Sequence, residues 1–128
     1  MTPRSFMAGY RFLHFSTGPI IYAQIATRSQ EQERGLMFLD SLDDNHGMLF
    51  EYPQIGELSF WMKNTYIPLS IAFIEYPHSR RGIIIDIQDM EPHSLESHRS
   101  RQPVRAALEV NQGWFDQHSI DVGDSVIW

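Results

Sequence analysis

The stretch LSFWMKNTYIPLSIAFIEY, Leu58–Tyr76, decides how the chain is read. Two apolar, strand-prone runs, ELSFWMKNT and LSIAFIEY, flank TYIP, so the segment is expected to fold as the two arms of a hairpin. Side chains alternate along a strand. Leu58, Phe60, Met62 and Asn64 then face one way, and Ser59, Trp61, Lys63 and Thr65 the other. Trp61 and Lys63 become neighbours about 7 Å apart. With Asn64 opposite Leu69, Lys63 lies opposite Ser70 and Trp61 opposite Ala72. Lys63 is the single lysine of the chain, beside nine arginines. One reading puts Met62 in the core and lays the Lys63 stem over Trp61 at the surface. The other makes a ligand cleft, with Trp61 as stacking platform, Lys63 as anion or carbonyl partner, and Asn64 as polar reader.

Working outward, YRFLHF (10–15) and IIYAQIA (20–26) read as strands joined at STGP. Residues 1–20 are expected to form an N-terminal extension that contributes a strand. Ser29 and Gln32 have capping-box spacing, with Glu31 and Glu33 suited to a helix start. The helix is expected from Gln30 to Phe38, with Leu36 and Met37 inward. Gly35 inside it costs about 1 kcal/mol against alanine, which a close approach to a neighbouring strand would explain.

GMLFEY (47–52) reads as a strand ended by Pro53, and IIIDIQ (83–88) as a β-branched strand. VRAALEV (104–110) alternates, with Val104, Ala106, Leu108 and Val110 on one face and Arg105, Ala107 and Glu109 on the other. Asn111 can cap a short helix carrying Trp114 and Phe115, before the final strand SVIW. The expectation is a mainly β fold in one domain, 1–128: a compact antiparallel sandwich or distorted barrel of seven to eight short strands with two short helices.

The 128 residues are enough for one core, and 42% apolar with 20% charged residues is a globular composition. A net charge of −6, from sixteen acids and ten bases, argues against nucleic acid as a main partner. Arg99, Arg101 and Arg105 offer at most one modest anion-facing edge. Without cysteines, disulfides, thiolate metal sites and cysteine nucleophiles are excluded. No segment has the apolar length of a membrane span. The chain as given shows no signal peptide and reads as soluble and cytoplasmic, with export the alternative if a leader was removed.

His93, Glu96 and His98 lack the spacing of a helical zinc motif. His46 beside Asp43, Asp44 and Asn45 reads as a polar turn rather than a calcium loop. Met37, Met48 and Met62 read as core filling rather than copper ligands. Neither a metal nor another cofactor is expected. Asp86, Asp89 and Glu91 read as solvated strand-end acids.

ERGLM, GMLFEY, SFWMKNTYIPLSIAFI, ALEV..GW and VGD, in this order, resemble the domain of unknown function family 192 over residues 21–128. The resemblance implies a compact, mostly β domain, with many relatives exported, and brings no activity or cofactor. It also implies an arginine where Leu39 stands and an aspartate where Ser70 stands. Those two with Lys63 would form one polar network, of which only Lys63 remains here.

The function expected is a small non-enzymatic binding module for a polar or anionic ligand such as a carbohydrate, held by Trp61, Lys63 and Asn64. The alternatives are a hydrolase using Lys63 with Glu109 or Asp86, and a structural or protein-interaction domain without a small-molecule site.

Overall fold

A computed structural model describes residues 9–128 of the chain. Among the described residues, nine strands and two short helices follow one another: β1 (Tyr10–Phe15), β2 (Ile20–Ala26), α1 (Ser29–Arg34), β3 (His46–Gly56), β4 (Ser59–Phe60), β5 (Leu69–His78), β6 (Arg81–Met90), β7 (His98–Arg99), β8 (Val104–Asn111), α2 (Trp114–Gln117) and β9 (Ser125–Ile127). Seven of them close a barrel in the order β1-β2-β3-β8-β5-β6-β9, while β4 and β7 pair separately. The mainly β barrel is therefore as expected. Of the N-terminal extension, β1 forms as read and residues 1–8 lie outside the described residues.

The expected hairpin of residues 58–76 does not form. β5 pairs antiparallel with β6 on one edge and with β8 on the other, so no edge remains for the WMKNT arm. Its unbroken apolar run, Ile71 to Ile74 fully buried, suits a strand covered on both faces. The preceding arm shortens to β4, which pairs with β7 through Ser59–Arg99 and Phe60–His98. The sheet is also not wholly antiparallel. β2 and β3 run parallel, and α1 lies in the connection between them, as a parallel pair requires.

The start and end of α1 differ from the expectation. Glu31 caps it, its Oε1 accepting the Thr27 and Arg28 backbone N–H groups at 3.2 and 3.1 Å. Gly35 ends the helix at φ 51°, ψ −131°, a conformation glycine adopts without strain. Its neighbour Phe50 is only at ordinary contact distance, so backbone shape rather than close approach explains this glycine. Asn111 does not cap α2; its side chain donates to the Leu42 carbonyl at 2.7 Å, and Gly113 occupies the cap position.

Two apolar cores share the barrel wall. Leu13, Ile21, Leu49, Ile74, Ile84 and Leu108 fill the interior, and Trp114 and Phe115 of α2 belong to the same cluster. Met48, Phe50, Met62, Ile71, Phe73 and Ala107 form a second core on the other face of β3, β5 and β8. Phe60, Leu36 and Leu39, from β4 and the segment after α1, pack into this second core.

Candidate functional site

The cover over the second core positions WMKNT. Met62 is buried, and its backbone N–H donates to the Ser94 carbonyl at 2.9 Å. Thr65 is buried too; its N–H donates to the Met62 carbonyl at 3.1 Å and its hydroxyl to the Lys63 carbonyl at 3.1 Å. These bonds make residues 62–65 a tight turn rather than a strand. Asn64 has φ 55° and Phe38 φ 68°, and the Phe38 N–H donates to the Asn64 carbonyl at 2.9 Å. A bulky aromatic residue in the left-handed region is uncommon. Phe38 is the strained member of this pair, since asparagine enters that region readily.

Pinned at Met62 and Thr65, the turn presents the intervening side chains outward. Trp61 is 49% exposed, and the Lys63 ammonium lies 5.3 Å from its ring centroid. Trp61, Lys63 and Asn64 share a groove of about 410 Å³ with Glu33, Arg34 and Phe38. Arg34 stacks over Phe38 at 5.4 Å. The three residues singled out from sequence are thus brought together, by a turn instead of by strand alternation.

A second, narrower cleft of about 170 Å³ shares Glu33, Arg34, Met37 and Trp61 with the groove. Phe50, Tyr52, Phe60 and Met62 also line it, together with Glu109. Glu109 projects from the outward face of β8, with Met48 of β3 and Ile71 of β5 as its register partners. It is only 4% exposed, and burial pushes its carboxyl up from 4.5 to about 8. The Tyr52 phenol is pushed up to about 12, by burial first and then by the charge of Glu109. Two other polar groups lining the cleft are engaged elsewhere. The Gln32 amide donates to the Ala26 and Glu51 carbonyls at 3.1 and 2.8 Å, and Thr65 to Lys63 as above.

Tyr52 and the burial of Glu109 were not evident from sequence. The available signal was an acid placed in the middle of an otherwise apolar strand on the same face as Ala107.

Ser70 falls outside the network drawn from Lys63, Leu39 and Ser70, whereas the Leu39 segment lies beside Lys63 through the bond from Phe38 to Asn64. Ser70 shares strand parity with the interior residues Ala72 and Ile74, so the barrel wall separates it from the cover. Its hydroxyl donates to Asp89 Oδ1 at 2.8 Å and accepts from the Gly113 N–H at 3.3 Å. The three positions line three different clefts.

Asp86 takes up its carboxylate locally, accepting from the Ile87 N–H at 3.0 Å and the Gln88 amide at 2.8 Å. It lines neither the groove nor the inner cleft. Among the described residues no three His, Asp or Glu side chains gather as metal ligands. His98 has a buried Nε2 without a partner.

The arginines do not form one edge. Arg99 pairs with Glu57 at 2.9 Å, whereas Arg105 stacks on Tyr76 at 4.5 Å. A larger cleft of about 540 Å³ lies beside Arg105, Arg80 and Glu51. Its Glu51 accepts from the Trp128 indole at 2.8 Å, and Arg105 donates to the Tyr52 carbonyl at 3.3 Å. No helix among the described residues is long and apolar enough to cross a membrane.

The fold and cover define a small barrel protein built around a WMKNT turn. The chain belongs to the domain of unknown function family 192, whose model, described as uncharacterized ACR, matches residues 13–128. Two solved structures are similar to it. One is a proposed transcription regulator of Sinorhizobium meliloti 1021, 32% identical, with TM-score 0.80, covering 90% of this chain and 88% of that one. The other is a protein of unknown function from Novosphingobium aromaticivorans DSM 12444, also 32% identical, with TM-score 0.83, covering 93% and 85%. No curated protein matches the chain.

Proposed function

We propose that the chain is a small binding module that holds a polar ligand, such as a saccharide, in the groove along Trp61. The observation that carries this reading is the placement of Trp61. It is half exposed and lines both the groove and the inner cleft, with Lys63 held against its ring. A rigid aromatic face with a few polar groups beside it is how small domains bind sugars and similar molecules. Asn64 supplies an amide at the rim, and Lys63 and Arg34 supply cations for an anionic or hydroxyl-rich body.

Tryptophan fluorescence during titration with a saccharide panel tests the reading. Trp114 and Trp128 are buried, so a ligand in the groove is expected to perturb Trp61 selectively. The Trp61→Ala variant should lose the response, and Lys63→Ala should weaken it. A response that survives Trp61→Ala places the ligand elsewhere and sinks the proposal.

A further inference from the structure

We infer that the inner cleft takes an alkylammonium group, with Glu109 as its counter-ion and Phe50, Tyr52, Phe60 and Trp61 as its aromatic walls. This rests on the reading of the adjoining groove as a ligand site and names the end of the ligand that enters the domain.

Three features converge on a cation. First, Glu109 is a carboxylate residue only 4% exposed, and among the described residues no hydrogen bond or ion pair engages its side chain. The charged form of such a group is costly without a partner. Second, four aromatic rings line the same cleft, and the faces of such rings attract ammonium ions, most strongly when the ion is desolvated. Third, the Gln32 amide and the Thr65 hydroxyl that line the cleft already donate to backbone carbonyls.

An anion would be repelled by an ionised Glu109, and a neutral polyol would leave the carboxyl in its uncharged form. An ammonium group offsets its charge and replaces its lost hydration. The cleft's volume of about 170 Å³ is several times the share of one water molecule, room enough for a small substituted ammonium head. The polar body of the same ligand would continue past Trp61 into the groove, towards Lys63 and Asn64.

Calorimetric titration with choline tests the inference, set beside its neutral carbon isostere in which a tert-butyl group replaces trimethylammonium. Choline is expected to bind about tenfold more tightly than the isostere, the difference being the charge-assisted contact. Glu109→Gln should remove that difference. Phe60→Leu, which keeps apolar volume but removes one ring, should weaken choline more than the isostere. Thermal melts of both variants establish that they are folded.

Equal binding of choline and its isostere overturns the inference, as does choline binding unchanged in Glu109→Gln. If saccharides perturb Trp61 while choline does not bind, the ammonium assignment fails and the groove reading stands. If neither class binds, both fail.

Discussion

The two faces of β8 are both buried, yet they are built differently. Ala106, Leu108 and Val110 turn into the barrel and join its apolar interior cluster, with the small hydroxyl of Ser70 opposite Val110. Ala107 and Glu109 turn outward, under the cover formed by WMKNT and the segment after α1. Inside, burial serves only packing. Outside, the same strand carries an acid that burial holds in its protonated form well above the usual carboxylate range. Native structures retain buried polar groups without partners at a cost in stability, and such sites are where local rules yield to function.

The largest effect should come from the interior face. Leu108→Ala is expected to cost about 2–5 kcal/mol, because the closed barrel cannot collapse onto the void. Urea unfolding should show a lower midpoint at unchanged slope. Met62→Ala should cost less than Leu108→Ala, since Met62 hangs from a surface turn that can settle inward. Equal losses would break the distinction between a rigid interior and a yielding cover.

Glu109 sharpens the contrast through pH. Its carboxyl titrates near 4.5 when unfolded and at about 8 when buried, so the folded chain retains a proton that the unfolded chain releases. Its contribution is fully present below pH 4.5 and falls as pH rises towards 8. The decline should be about 1.4 kcal/mol per pH unit through that window. Glu109→Gln should flatten the profile and be more stable than the parent chain at pH 8 and above. Parallel profiles for the two proteins, from urea unfolding at several pH values, would mean that Glu109 is solvated and the outer face is ordinary surface.

The interior face was legible in the sequence, because the alternation of Val104, Ala106, Leu108 and Val110 is a local property of the chain. The grouping of Trp61, Lys63 and Asn64 was legible for a different reason, since residues so close in sequence stay close in any backbone. Their partners were not. β5 is apolar on both faces, and a double-sided strand does not reveal which neighbours it takes. It took β6 and β8, which left WMKNT to form a turn and removed Ser70 from its vicinity. The burial of Glu109 depends on α1 and β4 folding back over β8, a long-range arrangement that no local pattern encodes.

The helix holding that cover is itself held by one acid. Glu31→Ala removes the acceptor for the Thr27 and Arg28 N–H groups and is expected to cost about 1 kcal/mol. Hydrogen exchange should rise first in α1 and the segment after it, with β8 still protected. A uniform rise across the barrel would show that cover and wall unfold as one unit.

The smallest effect concerns the pair at the groove. Lys63 over Trp61 is an exposed contact, so its contribution to stability should be only about 0.5–1 kcal/mol. A double-mutant cycle with Lys63→Ala and Trp61→Ala, read by urea unfolding, isolates that coupling. The small value is the informative one. A lysine that contributes little to the fold, held on a half-exposed tryptophan at a pinned turn, leaves any binding effect separable from a structural one. A coupling of several kcal/mol would instead make the pair part of the cover's packing, and Trp61→Ala would then report on folding as much as on any ligand.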